Sequence, residues 1–223
     1  MPGPRSDGTT PTPAERGKAR AVVRRLEERY PEIHTALDYE NPWQLLVVTV
    51  MSAQTTDENV NGVAPLLFEE YPEPTDLAEA NPEDVEQIIF STGFYRQKTK
   101  SIIALSNALV EEHDGVVPDD RDLLVKLPGV GRKTANVVLA EAWGRPAIAV
   151  DTHVNRVSNR LELTTEKDPV KIEKDLESLI PKKSWPGLSM RMIQFGRDVC
   201  IARSPRCGIC ELAPICPSAG TFD

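Results

Sequence analysis

Three groups of residues in this chain have types and spacings suited to chemistry. The first is Lys133, within the run Leu127-Pro128-Gly129-Val130-Gly131-Arg132-Lys133-Thr134-Ala135. An amine attacks carbon only when neutral, and a lysine at the head of a helix beside a flexible turn is a candidate nucleophile. The second is Asp151, eighteen residues further on, in Val150-Asp151-Thr152-His153-Val154. Its local role is N-cap of the next helix. Facing the same point as Lys133, its carboxylate would stabilise the positive charge on a sugar losing its leaving group. His153 reads as structural, because nothing in the sequence pairs it with a nucleophile. The third group is Cys200, Cys207, Cys210 and Cys216, spaced C-x6-C-x2-C-x5-C. They are the 4 cysteines of the chain, and such clustering argues for a metal site over a distributed disulfide framework. Zinc sites usually pair two separated C-x2-C halves, whereas this run has one, and Pro217 follows the last cysteine as in bacterial ferredoxins. The spacing favours a [4Fe–4S] cluster and leaves zinc and disulfides open.

The elements around Lys133 must hold it in place. Asp119 to Lys126 reads as a helical run leading in, and Arg132 to Trp143 as an apolar helix leading out. Pro128 stops the first, since it lacks an N–H and restricts the residue before it. Gly129 and Gly131 are expected at positive φ, with the amides of Gly129, Val130 and Gly131 directed off the second helix. Such a turn suits an anion, and a nucleic-acid phosphate is the natural one. A nucleotide P-loop needs glycine directly before the lysine and a strand before the loop, so Arg132 and the helix upstream exclude it. A plain packing corner competes with a helix–hairpin–helix that grips DNA backbone through Leu127, Gly129, Val130 and Gly131. Between the first two cysteines, Arg203 and Arg206 ride on a turn that metal would pin at both ends, and they are expected to contact phosphate.

Charge first argues against nucleic acid. The 223 residues carry a formal net charge of −8. The distribution reverses that reading. Tyr30 to Phe90 holds thirteen Asp or Glu and no Lys or Arg, whereas Lys182 to Arg206 holds six Lys or Arg and one acid, Asp198. Phosphate affinity follows the local field, so a polarised acidic protein binds DNA on one face. No signal peptide or membrane-length apolar run is visible, and a soluble intracellular protein, cytoplasmic and nucleoid-associated in a prokaryote, is expected.

Residues 1–11 are rich in Pro, Gly and Thr and are expected to be disordered. Thr12-Pro13-Ala14-Glu15 then forms a capping box with proline at the first helical position. Further helices are expected from Asn41-Pro42 to Met51, from Asn81-Pro82 to Gly93, and over Lys98 to His113. Others follow over Asp151 to Leu161, Asp168 to Ile180 and Leu188 to Cys200. Only Ala147 to Val150 looks like strand, so the fold class is all-α.

These motifs, in this order, closely resemble the endonuclease III family of base-excision DNA glycosylases. The resemblance rests on Leu127 to Val137, Val150 to Val154 and the four-cysteine loop. It extends to Ser52-Ala53-Gln54-Thr55-Thr56-Asp57, to Gly93-Phe94-Tyr95 with Lys98, and to Gly196-Arg197 before Cys200, and covers about Lys18 to Cys216. It implies a helix–hairpin–helix glycosylase fold with two helical domains flanking a DNA-binding cleft. A six-helix barrel would span 35–145, and 12–34 plus 146–223 would form the iron–sulfur domain. The resemblance also implies a monomer that acts on double-stranded DNA containing damaged bases or abasic sites. Lys133 would attack C1′, expel the base and form a Schiff base, and β-elimination would nick the strand. Asp151 would assist deprotonation and stabilise charge. Gln54 would fill the space the flipped nucleotide leaves, and Phe94, more often leucine in the family, would wedge the other strand. Phe195 stands where relatives often carry histidine. Adenine glycosylases lack the lysine and carry glutamate at the position of Thr49, and thymine-mismatch glycosylases also lack the lysine. Oxidised or otherwise damaged pyrimidines are the expected substrates. A pyrimidine-dimer glycosylase and a non-catalytic iron–sulfur DNA-binding protein are the alternatives.

Overall fold

The structure is a computed structural model that describes residues 3–221, and among them all regular structure is helical. In chain order the helices are α1 (Pro13–Arg29), α2 (Pro42–Met51), α3 (Asp57–Glu70), α4 (Pro74–Ala78), α5 (Pro82–Ile89) and α6 (Tyr95–His113). They continue as α7 (Arg121–Leu124), α8 (Arg132–Trp143), α9 (Thr152–Arg160), α10 (Pro169–Leu179) and α11 (Leu188–Asp198). Short 3-10 turns occur at Phe90–Thr92, Lys182–Ser184, Cys207–Ile209 and Ala213–Ile215.

Local chemistry sets most of the helix starts. Thr12 and Glu15 form the expected reciprocal capping box, the Thr12 amide donating to Glu15 Oε2 at 2.7 Å. Asn41, Thr56, Asn81, Asp120, Asp151 and Asp168 each accept first-turn amides at other helices. Each such cap stabilises its helix by about 1 kcal/mol.

Five elements differ from the sequence reading, one of them α4 (Pro74–Ala78), a five-residue helix that the reading omits. α3 carries Gly62 and Pro65 in its interior, which hides it from pattern reading. α6 starts at Tyr95 rather than Lys98, because Phe94 precedes it in a left-handed conformation. The helix before the hairpin shrinks to Arg121–Leu124. The strand expected at Ala147 to Val150 is absent: the segment is buried coil, and the Ala149 amide donates to Ser189 Oγ at 2.8 Å instead of to a ladder. Residues 3–11, which composition reads as disordered, make specific contacts, and residues 1 and 2 lie outside the described residues. Arg5 reaches the Leu163 carbonyl at 3.3 Å and Glu15 at 2.7 Å, and the Ser6 amide donates to Asp175 at 2.8 Å.

The chain divides into two units, Thr35–Arg145 and Met1–His34 with Pro146–Asp223. In the first, α2 is the central helix. Trp43 and Leu45 to Met51 are all buried, so α2 is apolar on every side and is packed by α3, α6 and α8. In the second, Val22 and Leu26 of α1, Val154 and Val157 of α9, Leu176 of α10 and Met192 of α11 share one core. Each such buried side chain contributes about 1.5–3 kcal/mol. Among the described residues no helix is long and apolar enough to cross a membrane.

Candidate active site and metal centre

The turn before Lys133 is built on one glycine, not two. Gly129 has φ +76°, and a Cβ there would lie 2.9 Å from Ser101 Cβ. Gly131 has φ −86° and open space around it, which corrects the expectation of a second positive φ. The turn closes through the Val130 amide, which donates to the Leu127 carbonyl at 3.1 Å and so is not available to a ligand. Leu127 and Val130 are buried, so their side chains seat the hairpin on the core. Among the described residues the amides of Gly129 and Gly131 have no intrachain acceptor. Gly131 caps α8 without a side chain, so no protein oxygen covers the helix N-terminus from that position. An anion is favoured there. Lys133 follows in the first turn of α8 and is exposed, while Ala135 to Leu139 anchor the helix below.

Gly129→Ala combines a left-handed backbone with a collision. It is expected to lower stability by about 2 to 4 kcal/mol, read as a drop in denaturation midpoint, with Gly131→Ala within about 1 kcal/mol of the parent.

Asp151 heads α9 and is held at both oxygens. Oδ1 accepts the His153 and Val154 amides, each at 2.8 Å, and Oδ2 lies 3.0 Å from His153 Nδ1. His153 thus pairs with the capping carboxylate and orients it, in keeping with a structural role. The Asp-x-His spacing at a helix start was the signal for it. Gly196 of α11 makes room for this arrangement, since a Cβ there would sit 3.1 Å from His153 Cβ and Cδ2.

The four cysteines are free thiols that line a single pocket, alongside Leu161, Phe195, Val199 and Leu212. Phe195 is fully buried and forms a wall of this pocket. Burial pushes the thiols of Cys210 and Cys216 above the ordinary cysteine value. Among the described residues no three His, Cys, Asp or Glu side chains are grouped to hold one ion. Four thiols set among apolar side chains suit thiolate ligation of a metal centre. The loop is tied down by α9. Arg156 donates to the carbonyls of Gly196 at 2.9 Å and Cys200 at 3.0 Å, and Arg160 to those of Ile201 at 2.8 Å and Ala202 at 2.7 Å. Arg160 also reaches Cys200 Sγ at 3.3 Å. Arg203 and Arg206 are exposed on that loop.

Gln54 and Phe94 lie on exposed turns of the other unit. Both are left-handed, Gln54 at φ 55° and Phe94 at φ 48°. For residues other than glycine this costs about 1–2 kcal/mol and is retained where the surroundings impose it. Beneath Phe94 the buried Lys98 ammonium donates to the Thr92 carbonyl at 2.8 Å, and burial lowers its pKa from the ordinary lysine value. Thr49 is buried and donates to the Leu45 carbonyl at 2.6 Å, so no carboxylate stands at that position.

Comparison with known proteins identifies relatives of the chain. Residues 47–182 match the HhH-GPD superfamily of base excision DNA repair proteins, and residues 200–216 match the iron–sulfur binding domain of endonuclease III. The chain is 49% identical to endonuclease III of Synechocystis sp. over 207 residues, 92% of this chain and 94% of that one. It also superposes on two solved structures, a non-covalent endonuclease III–DNA complex and a trapped endonuclease III–DNA covalent intermediate. Each gives a TM-score of 0.88 at 44% identity, covering 92% of this chain and 97% of the other.

Proposed function

The chain belongs to the endonuclease III family of base excision repair proteins, and we propose that Lys133 is the amine on which its chemistry turns. The protein is a DNA glycosylase with AP lyase activity and carries a [4Fe–4S] cluster. The observation that carries the assignment is an exposed lysine in the first turn of α8, directly after a turn with two unengaged amides. A protein 44% identical to this chain has been trapped covalently on DNA, and such an adduct needs a nucleophile.

In this reading the Gly129 and Gly131 amides hold a backbone phosphate and bring the strand to Lys133. Arg203 and Arg206 add phosphate contacts from the cysteine loop. Neutral Lys133 Nζ attacks C1′, the glycosidic bond breaks, and the base leaves with the bonding pair. The C1′ adduct becomes a Schiff base, from which β-elimination cleaves the strand. Asp151, fixed by two amides and His153, stabilises the charge developing on the sugar and assists proton removal. Cys200, Cys207, Cys210 and Cys216 hold the cluster, which pins the arginine loop. Gln54 and Phe94 enter the duplex when the damaged nucleotide leaves the stack, a cost of a few kcal/mol that damage lowers.

Oxidised or otherwise damaged pyrimidines are the substrates in this reading, and the enzyme works as a monomer. Duplexes carrying one defined lesion each test the substrate class. Release of oxidised and ring-saturated pyrimidines is expected at rates at least about a hundredfold above undamaged bases. A strong preference for pyrimidine dimers would reassign the substrate.

A further inference from the structure

The geometry points to Asn59 as a positioning residue that holds the Gln54 loop and the Phe94 turn at a fixed separation. This rests on the reading that both side chains enter the duplex. Asn59 lies in the first turn of α3, behind the N-cap Thr56. Its carboxamide works at both ends. Nδ2 donates to Thr55 Oγ1 at 3.1 Å and to the Ser91 carbonyl at 2.7 Å, and Oδ1 accepts from Ser91 Oγ at 2.8 Å. Thr55 directly follows Gln54, and Ser91 lies on the 3-10 turn Phe90–Thr92 that leads to Phe94. A single side chain thus joins the two turns that carry the strained residues.

The Phe94 turn is braced from below by Lys98, which donates to the Thr92 carbonyl, and by Thr92 itself, which donates to the Ile89 carbonyl at 2.8 Å. On the Gln54 side, Ser52 donates to the Thr49 carbonyl at 2.9 Å and the Thr55 amide to the Ser52 carbonyl at 3.3 Å. None of these bonds crosses from one turn to the other. The Asn59 carboxamide fixes the distance between them. Two residues that enter one unstacked site must be spaced before DNA arrives, because reorganisation at that moment weakens extrusion. Asn59 touches no reacting atom, so its effect falls on extrusion and not on bond breaking.

The test uses the full, cluster-loaded protein and a duplex with 2-aminopurine beside the lesion, whose fluorescence reports unstacking. Asn59→Ala is expected to lower both the fluorescence rise and single-turnover base release by about tenfold, the scale of one lost hydrogen-bond set. Its dissociation constant for DNA should change less than about twofold, since phosphate contacts are untouched. Ser91→Ala removes only the hydroxyl bond and should cost about threefold. The double variant should be no worse than Asn59→Ala alone. If Gln54→Ala and Phe94→Ala depress the fluorescence while folded Asn59→Ala does not, the clamp is overturned and the insertion reading stands. If Gln54→Ala and Phe94→Ala leave the signal intact, the insertion reading fails and the clamp falls with it. Should Asn59→Ala fail to retain its visible cluster absorbance, Ser91→Ala decides: full extrusion in that variant overturns the proposal.

Discussion

Replacing Lys133 with glutamine abolishes the adduct that borohydride traps on DNA carrying an abasic site, while most of the affinity for that DNA remains. Glutamine approximates the length and polarity of lysine but has no amine to form an imine, so there is nothing for borohydride to reduce. The loss should exceed about 10³-fold and reach the detection limit, as for removal of other covalent nucleophiles. In the proposed reading, binding rests on a different set of groups. The amides of Gly129 and Gly131 are backbone, and Arg203 and Arg206 lie on the cysteine loop, so the substitution removes only one positive charge. The salt dependence of binding should therefore weaken by about one unit of slope. Lys133 is exposed at the start of α8, and Ala135 to Leu139 anchor the helix, so the variant is expected to fold. An adduct of normal yield in this variant would remove Lys133 from the mechanism.

The second large effect is expected at Asp151, where asparagine separates two roles that alanine would confuse. The carboxylate caps α9 through the His153 and Val154 amides, and it also carries charge. Asparagine caps helices about as well as aspartate, so stability should stay within about 0.5 kcal/mol of the parent. What disappears is the negative charge available to a sugar becoming cationic. Base release should slow by about 10² to 10³-fold, the usual scale for one preorganised electrostatic group. Nicking of a preformed abasic site should suffer less, because the base has already left. Single-turnover assays on a lesion duplex and on an abasic duplex give the two rates separately. Normal base release in a well-folded Asp151→Asn protein would confine Asp151 to its capping role.

Much of this site is legible in the sequence, because the relevant signals are local. Helix caps act over three or four residues, so Thr12 with Glu15, Asn41 and Asp168 announced their helices directly. Lys133 at a helix start and Asp151 as an N-cap follow from neighbouring residues alone. The crowding of all the cysteines into one short run gave a metal centre by the same logic. Where local signals conflicted, reading failed: Gly62 and Pro65 concealed α3, and four β-branched or small residues at 147–150 imitated a strand.

Other features depended on residues far apart in the chain, and only tertiary packing decided them. Gly129 is required because Ser101 of α6 presses against it, while Gly131 meets nothing. Phe195 became a wall of the cysteine pocket only when α11 was laid beside the loop that follows it. His153 gained its role as the orienter of Asp151 where Gly196 lets α11 approach α9. Asn59 reaches Ser91 across thirty-two positions of sequence. A sequence specifies turns and caps within a few bonds of each residue, whereas a close approach between helices emerges only when the whole core has packed and excluded water.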